Sequence, residues 1–216
     1  MDLAALMLAD SRFPGGGHVH SGGLEEAVAR KAVTDLPSLH RFLVGRLRTA
    51  GALGAVFAAA ATRGRFAELD VELDARTPSP AQRAASRMQG RGIARAARKA
   101  WPSETLAELL RATPEPHHPI IVGALVGEPR AAAQVVAYHA VTGPATGAIR
   151  LLGLDPFGVN AIIARLAPDL ENVVAQAEKH ADDPPPDLPA PSAPGLDLLA
   201  EAHDRHHREE VRLFVS

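Results

Sequence analysis

The 216-residue chain contains no cysteine, so disulfides, thiolate metal sites and cysteine nucleophiles are excluded from the outset. Aromatic residues make up only 4% of it, with one Trp and one Tyr. That scarcity, with few β-branched runs, argues against a sheet and leaves little to stack on nucleic-acid bases. No surplus of one charge sign exists: the formal net charge is −2 with the ten histidines neutral. No global field therefore draws in nucleic acid or a membrane surface. Residues 1–9 lack a basic start and a long apolar run, and no stretch approaches the ~20 clean apolar residues of a spanning helix, so neither a signal peptide nor a membrane anchor is expected. The expected compartment is the cytoplasm.

What is present is alanine and small aliphatic side chains, with 46% hydrophobic residues overall. Such a composition suits closely packed helices, and the length is enough to bury a sizeable core. The spacing predicts an all-α, single-domain bundle of roughly eight to ten helices with a flexible C-terminal tail. Ser21 is expected to cap a helix to about residue 32. Asp35 and Pro37 announce a long helix whose apolar positions, from Leu39 to Ala61, recur at three and four. An acidic piece follows (Glu68, Asp70, Glu72, Asp74). Ser79-Pro80-Ala81-Gln82 combines a hydroxyl cap, a proline at the first helical position and a reciprocal glutamine, and predicts a helix over 80–100. Ser103 starts a short helix, and residues 120–125 read as helix from their surroundings. The segment 131–152 reads as a helix interrupted or bent at Thr142-Gly143-Pro144. Asp155-Pro156 and Pro168 open two more. Residues 182–194 hold six prolines in thirteen positions and read as an extended, semi-rigid linker. It divides a body of residues 1–181 from a C-terminal helix and docking tail over 195–216.

Several constellations invite a chemical reading. The run Gly15-Gly16-Gly17-His18-Val19-His20-Ser21-Gly22-Gly23 precedes a helix, where backbone amides attract anions. It lacks the Gly-Lys-Ser/Thr ending and a preceding strand, so a nucleotide loop is not favoured. Ser21 beside His20 has no Gly-x-Ser-x-Gly elbow around it, which argues against a hydrolase. Glycines permitting a turn into a capped helix explain the run better. His203 and His207, four apart on a helix, share a face and are weak metal candidates; without an intervening H-E-x-x-H glutamate, no stable or catalytic metal is expected. Arg83, Arg87, Arg91 and Arg95 advance about 40° per step of four and form one slanting basic stripe. It reads as a face paired with neighbouring carboxylates or as a protein-docking surface, ahead of a nucleic-acid site.

Four stretches, taken in order, resemble one family. Asp10-Ser11-x-x-Pro14-x-Gly16-x-x-x-His20-Ser21-x-Gly23-x-Glu25 is similar to the N-terminal signature of the urease accessory UreF family. Arg83-x-x-Ser86-x-x-Gln89-Gly90, on the helix that also carries Arg87 and Arg91, resembles its mid-chain arginine-rich helix. Tyr138 and Ala148-Ile149-Arg150-Leu151-Leu152 resemble its later helix, and Arg212-Leu213-Phe214-Val215-Ser216 its terminus. His18 stands where that family usually carries an aromatic, and Val215 where an arginine is common. The resemblance implies a helical homodimer without chemistry of its own, which binds a UreD-type protein (also called UreH) and recruits the UreG-type GTPase. The assembly inserts nickel into apo-urease, with the metal handled in transit and no cofactor held stably. The quoted residues would then be partner-binding, and the terminal segment would order on docking. A histidine-based nickel-binding or storage protein is the alternative.

Overall fold

The computed structural model describes residues 3–10, 12–14 and 21–213, with side chains through His206. Among the described residues all regular structure is helical. The elements are α1 (Leu3–Ala9), α2 (Leu24–Ala29), α3 (Leu36–Arg46), a π turn (Leu47–Gly51), α4 (Ala52–Ala61), α5 (Phe66–Ala75), α6 (Pro80–Ala100), α7 (Glu104–Ala112), α8 (His118–Val126), α9 (Pro129–Leu152), α10 (Pro156–Arg165), α11 (Ala167–Lys179), a 3-10 turn (Pro185–Asp187) and α12 (Pro194–Leu213). Where the sequence carries a side-chain cap, the helix starts beside it. Asp35 and Ser38 form a reciprocal capping box on α3, Ser79 accepts from the Gln82 amide, Ser103 from the Leu106 amide and Asp155 from the Gly158 amide. Each satisfies an amide that has no partner within its helix.

α3, the π turn and α4 join into one rod, Leu36–Ala61, which is long and apolar enough by length and composition to cross a bilayer. That exceeds the sequence expectation, because arginines and glycines interrupt the apolar run without interrupting the helix. Its apolar surface is used on protein: α4 packs against α8, α9 and α11, and every residue from Leu53 to Ala61 is buried. Small side chains set the spacing. A Cβ on Gly123 of α8 would lie 2.3 Å from the Ala58 carbonyl oxygen of α4, so only glycine lets these two backbones meet. The acidic piece after Gly64 is helical as α5, burying Phe66, Leu69 and Leu73 at helical spacing. It lacks a side-chain cap, its N-cap position being Arg65 in the left-handed region at φ 56°, and so shows no start signal.

α9 runs through Pro144 without ending. Proline has no N–H to give the carbonyl four residues earlier, which here is Ala140. Arg46 supplies the missing donor: its Nε donates to the Ala140 oxygen at 3.0 Å, while Nη1 donates to the Gly22 oxygen at 2.8 Å. Thr142 and Thr146 hydroxyls, donating to the carbonyls four residues back, keep the neighbouring turns helical. Burial lowers the Arg46 pKa to about 10.

Residues 182–194, expected as a free extended tether, are anchored instead. Arg65 donates to the Asp183 carbonyl at 2.9 Å and Arg76 to the Pro186 carbonyl at 2.7 Å, and Pro185 and Leu188 are buried. Prolines offer no N–H, so this segment can make few backbone bonds of its own, and guanidiniums of the body take up the Asp183 and Pro186 carbonyls. α12 then packs on α6 and α2. Glu201 accepts from the Ser79 hydroxyl at 2.5 Å and from the Ala81 amide at 3.0 Å, and Asp197 accepts from Gln82 Nε2 at 2.8 Å. Gln82, expected to complete its own capping box, reaches α12 instead.

The repair at Pro144 gives a double-mutant test. Arg46→Gln should cost about 1–3 kcal/mol in urea unfolding, the range for an unsatisfied buried group. In a Pro144→Ala background, where residue 144 regains its N–H, that cost should fall by at least about 0.5 kcal/mol. Strict additivity of the two changes would refute the linkage.

Candidate partner-docking surface

A cavity of about 790 Å³ lies among the N-terminal segment, α6, α9 and α12. Asp10, Ser21, Gly23, Glu25, Ser86, Gln89, Tyr138 and His203 all line it. Residues far apart in the chain, from three of the motif stretches and from α12, therefore share one wall system.

The N-terminal signature reaches this place through turns. Phe13 stacks on Trp101 with centroids 5.6 Å apart, Pro14 is exposed, and Asp10 accepts from the Arg12 side chain and amide. Those hydrogen bonds bring the Asp10 pKa down to about 2. Ser21 does not cap α2. The N-cap position is Gly23, with no side-chain cap bond, and α2 ends at Ala29. Gly22 and Gly23 both take positive φ, 60° and 91°, which turns the chain before a Ser21 hydroxyl could reach the helix amides. Gly22 is also pressed on Arg46, whose Cζ would be 2.6 Å from an added Cβ. Glu25 is exposed at the first turn, but its neighbour Glu26 is buried, accepting from Arg30 at 2.6 Å and facing His206 Nδ1 at 3.1 Å. The Arg30 hydrogen bond is the main reason the Glu26 pKa is lowered.

Three of the four arginines of the α6 stripe are paired, with partners from α5, the turn before α6 and the turn before α8, and Arg95 is exposed. Arg87 Nη2 contacts Asp70 at 2.8 Å and Asp74 at 2.7 Å, while Nη1 donates to the Glu115 carbonyl. Arg91 contacts Glu115 at 2.9 Å, and Arg83 donates to the Thr77 carbonyl and lies 3.7 Å from Asp74. Gly90 sits where a Cβ would be 1.9 Å from the Pro116 oxygen, so α6 and the Pro116–His117 backbone touch directly. Ser86 accepts from the His118 amide at 3.2 Å. The mid-chain motif thus locks α6 onto the start of α8, and Gln89 is left on the cavity wall.

Behind that lock stands a group that the sequence reading missed. Asp70, Asp74 and His117 bring one ligand atom each within 4.8 Å of one another. His117 Nε2 lies 2.9 Å from Asp74 Oδ1, and its amide donates to Asp70 at 3.2 Å. A carboxylate only accepts, so Nε2 carries the proton and the buried Nδ1 is a bare acceptor without a partner. Burial, then the Arg87 guanidinium, push the His117 pKa below its ordinary value. Burial raises that of Asp74, but hydrogen bonds from Arg87 and His117 outweigh it and leave it lowered. The pair of carboxylates already holds a cation, Arg87, with Arg83 beside it, so a metal dication would meet like charge here. The trio is a structural clamp.

The other expected site residues divide. Tyr138 is 41% exposed on α9. Arg150 is exposed in the last turn of α9, away from the cavity. His203 Nε2 faces Glu25 at 4.0 Å. His207, Arg212 and Leu213 fall in α12 beyond the described side chains, and Gly16, His20, Phe214 and Ser216 lie outside the described residues.

Comparison with known proteins places this arrangement. The UreF family model matches residues 33–167. The urease accessory protein UreF of Mycobacterium sp. (strain JLS) is 49% identical over 217 residues, covering 98% of this chain and 97% of the relative. Those of Mycobacterium tuberculosis and Mycolicibacterium vanbaalenii are 46% and 45% identical over 222 and 221 residues, covering 99% and 98% of this chain and 99% and 97% of the relatives. The chain belongs to the UreF family. The matched stretch holds the arginine helix, Tyr138 and Arg150, and the full-length relatives extend the similarity to both termini. Within this UreF-family chain, Arg83 and Arg87 tie α6 to its neighbours.

Stability should report the clamp. His117 has a lowered folded-state pKa, so below about pH 6.5 the unfolded chain binds the proton first and stability falls with pH. Half-buried His139, also lowered, acts in the same direction. Urea unfolding followed from about pH 7 to about pH 5 should show wild type losing up to about 1.4 kcal/mol per pH unit for each such group. His117→Gln should flatten that slope, and identical slopes would exclude a buried neutral His117.

Proposed function

We propose that this UreF-family chain is a non-catalytic scaffold of urease maturation, acting in the cytoplasm as a homodimer. It bridges a UreD/UreH-type protein and a UreG-type GTPase so that nickel enters apo-urease. Nickel is cargo in transit through the complex, not a cofactor held stably by this chain. One observation carries the reading. The family's N-terminal, mid-chain and later-helix motifs meet at one cavity, and Met88 and Tyr138 line it while 52% and 41% exposed. Large apolar side chains left on a polar-rimmed hollow are the chemistry of a protein interface. The storage alternative draws on the C-terminal histidines. In the structure His203 and His206 face Glu25 and Glu26, which supports a role in seating α12.

The test is co-purification of the full chain with the UreD-type protein, the UreG-type GTPase and apo-urease on size exclusion, with nickel quantified in each fraction. A chain ending at His206 keeps the Asp197 and Glu201 anchors but lacks residues 207–216. It should retain its far-UV helix signal and lose capture by the UreD-type partner. Capture at full-chain levels would sink the terminal segment as the docking element.

A further inference from the structure

Arg46 brings a guanidinium to the cavity wall, and two of its three nitrogens are met. Nε and Nη1 donate to the Ala140 and Gly22 carbonyls, which leaves Nη2 without an acceptor among the described residues. Among those residues, His117 Nδ1 is the one enclosed side-chain nitrogen or oxygen that lacks a partner. Nη2 is therefore not enclosed, and it opens on the cavity that Arg46 lines. A Cβ added to Gly22 would stand 2.8 Å from Nη2, so this nitrogen sits beside the backbone that carries Ser21. Ser21 lines the same cavity, and its hydroxyl caps no helix and makes no hydrogen bond to a described residue. We propose that Arg46 and Ser21 form a binding site for the carboxylate of a small monocarboxylic acid held in the cavity.

The charge on Arg46 calls for an anion. A guanidinium drawn out of water is costly unless a counter-charge meets it. Arg30, Arg76 and Arg87 each have one, in Glu26, Glu72 and Asp70 with Asp74. Arg46 has carbonyls only. Burial alone lowers its pKa to about 10, and no carboxylate acts on it, so at neutral pH the charge is present and uncompensated. Carboxylates elsewhere on the cavity wall are engaged: Asp10 with Arg12, Glu25 with His203 and Asp197 with Gln82.

The donors and the walls set the class of ligand. Nη2 and a hydroxyl supply two donor groups, and a carboxylate presents two acceptor oxygens. One positive charge cancels one negative charge, whereas a phosphate dianion would leave charge uncancelled in a half-buried place. Leu53, Val136 and Ala140 also line the cavity and offer apolar surface to the body of the acid. The volume of about 790 Å³ falls within the range of about 300–1,000 Å³ that small-molecule sites occupy. The site does not depend on the bridging role, which co-purification tests separately.

The experiment titrates the full chain with sodium benzoate, sodium acetate or inorganic phosphate at neutral pH, with sodium chloride holding the ionic strength fixed. Arginine side-chain ¹⁵N NMR and isothermal calorimetry follow binding. Benzoate should move the Arg46 signal saturably and bind more tightly than acetate, and phosphate should do no more than chloride. Arg46→Gln and Ser21→Ala should each weaken benzoate binding at least about tenfold. Arg48→Gln, at an exposed arginine paired with Asp169, should leave it unchanged. The wild-type titration and Ser21→Ala read the site even where Arg46→Gln folds poorly. No saturable shift at Arg46, phosphate binding as tightly as benzoate, or affinity that survives both variants would each overturn the site. An Arg46 signal that moves with the UreD-type protein but not with benzoate would overturn it too, and give the guanidinium to the docking surface.

Discussion

Pro144 withdraws a backbone donor from the middle of α9, and Arg46 returns one from α3. That exchange joins three parts of the molecule, because the same guanidinium also holds the Gly22 carbonyl at the entrance to α2. A buried guanidinium is costly unless its hydrogen bonds are met. Here Nε and Nη1 are met by carbonyls, and the lowered pKa records the burial of the charge. The arrangement fixes where the N-terminal signature enters the body, and with it one wall of the cavity. The π turn follows directly after Arg46, so the rod changes its pitch beside the residue that crosses to α9.

The opposite wall rests on a second junction, α6 against the start of α8. It combines a close approach at Gly90, the Arg87 clamp on α5 and the Ser86 bond to the His118 amide. These three residues belong to one motif, and none of them faces open solvent as a docking stripe would. The motif acts on the surface indirectly, by fixing the line of Gln89 and Met88 beside Tyr138. Signature residues of a scaffold family need not touch a partner; they can set the backbone on which the contact residues stand. An exposed apolar rim holds its shape only when the helices under it cannot slide, and glycine contacts with guanidinium clamps prevent sliding.

How much of this was legible depended on whether a feature is local. Caps at Asp35, Ser79, Ser103 and Asp155 are local, involving a side chain and an amide three residues on, and each marks a helix in the structure. α5 carries no such cap, and its four acids disguised a face of Phe66, Leu69 and Leu73, so it was read only as an acidic piece. Its carboxylates are nevertheless what the arginine stripe was missing, and that pairing spans elements and leaves no trace in spacing. Ser21 looked like a cap because it precedes a helical run, but two glycines at positive φ move it off the axis. The proline-rich segment was misread for the same reason as α5. Composition shows that such a segment can make few hydrogen bonds of its own, and does not show that Arg65 and Arg76 wait for its carbonyls. The motif stretches were legible as a family resemblance; their convergence on one cavity was not.

Two neighbouring histidines near this cavity stand in different electrostatic surroundings. His117 is adjacent in sequence to His118, yet the two imidazoles meet opposite surroundings. The first faces carboxylates already neutralised by arginine, so its proton is committed to Asp74 and an added dication would be repelled. The second lies 3.3 Å from His139, whose outer nitrogen is tied to the Leu8 backbone carbonyl. His117 is the N-cap position of α8 and His118 its first residue, so the two side chains leave the backbone in different directions and meet different elements. A dipeptide of like residues thus serves a clamp on one side and a histidine–histidine contact on the cavity wall on the other. Residue type proposes a metal ligand, and the charge already present in its surroundings decides.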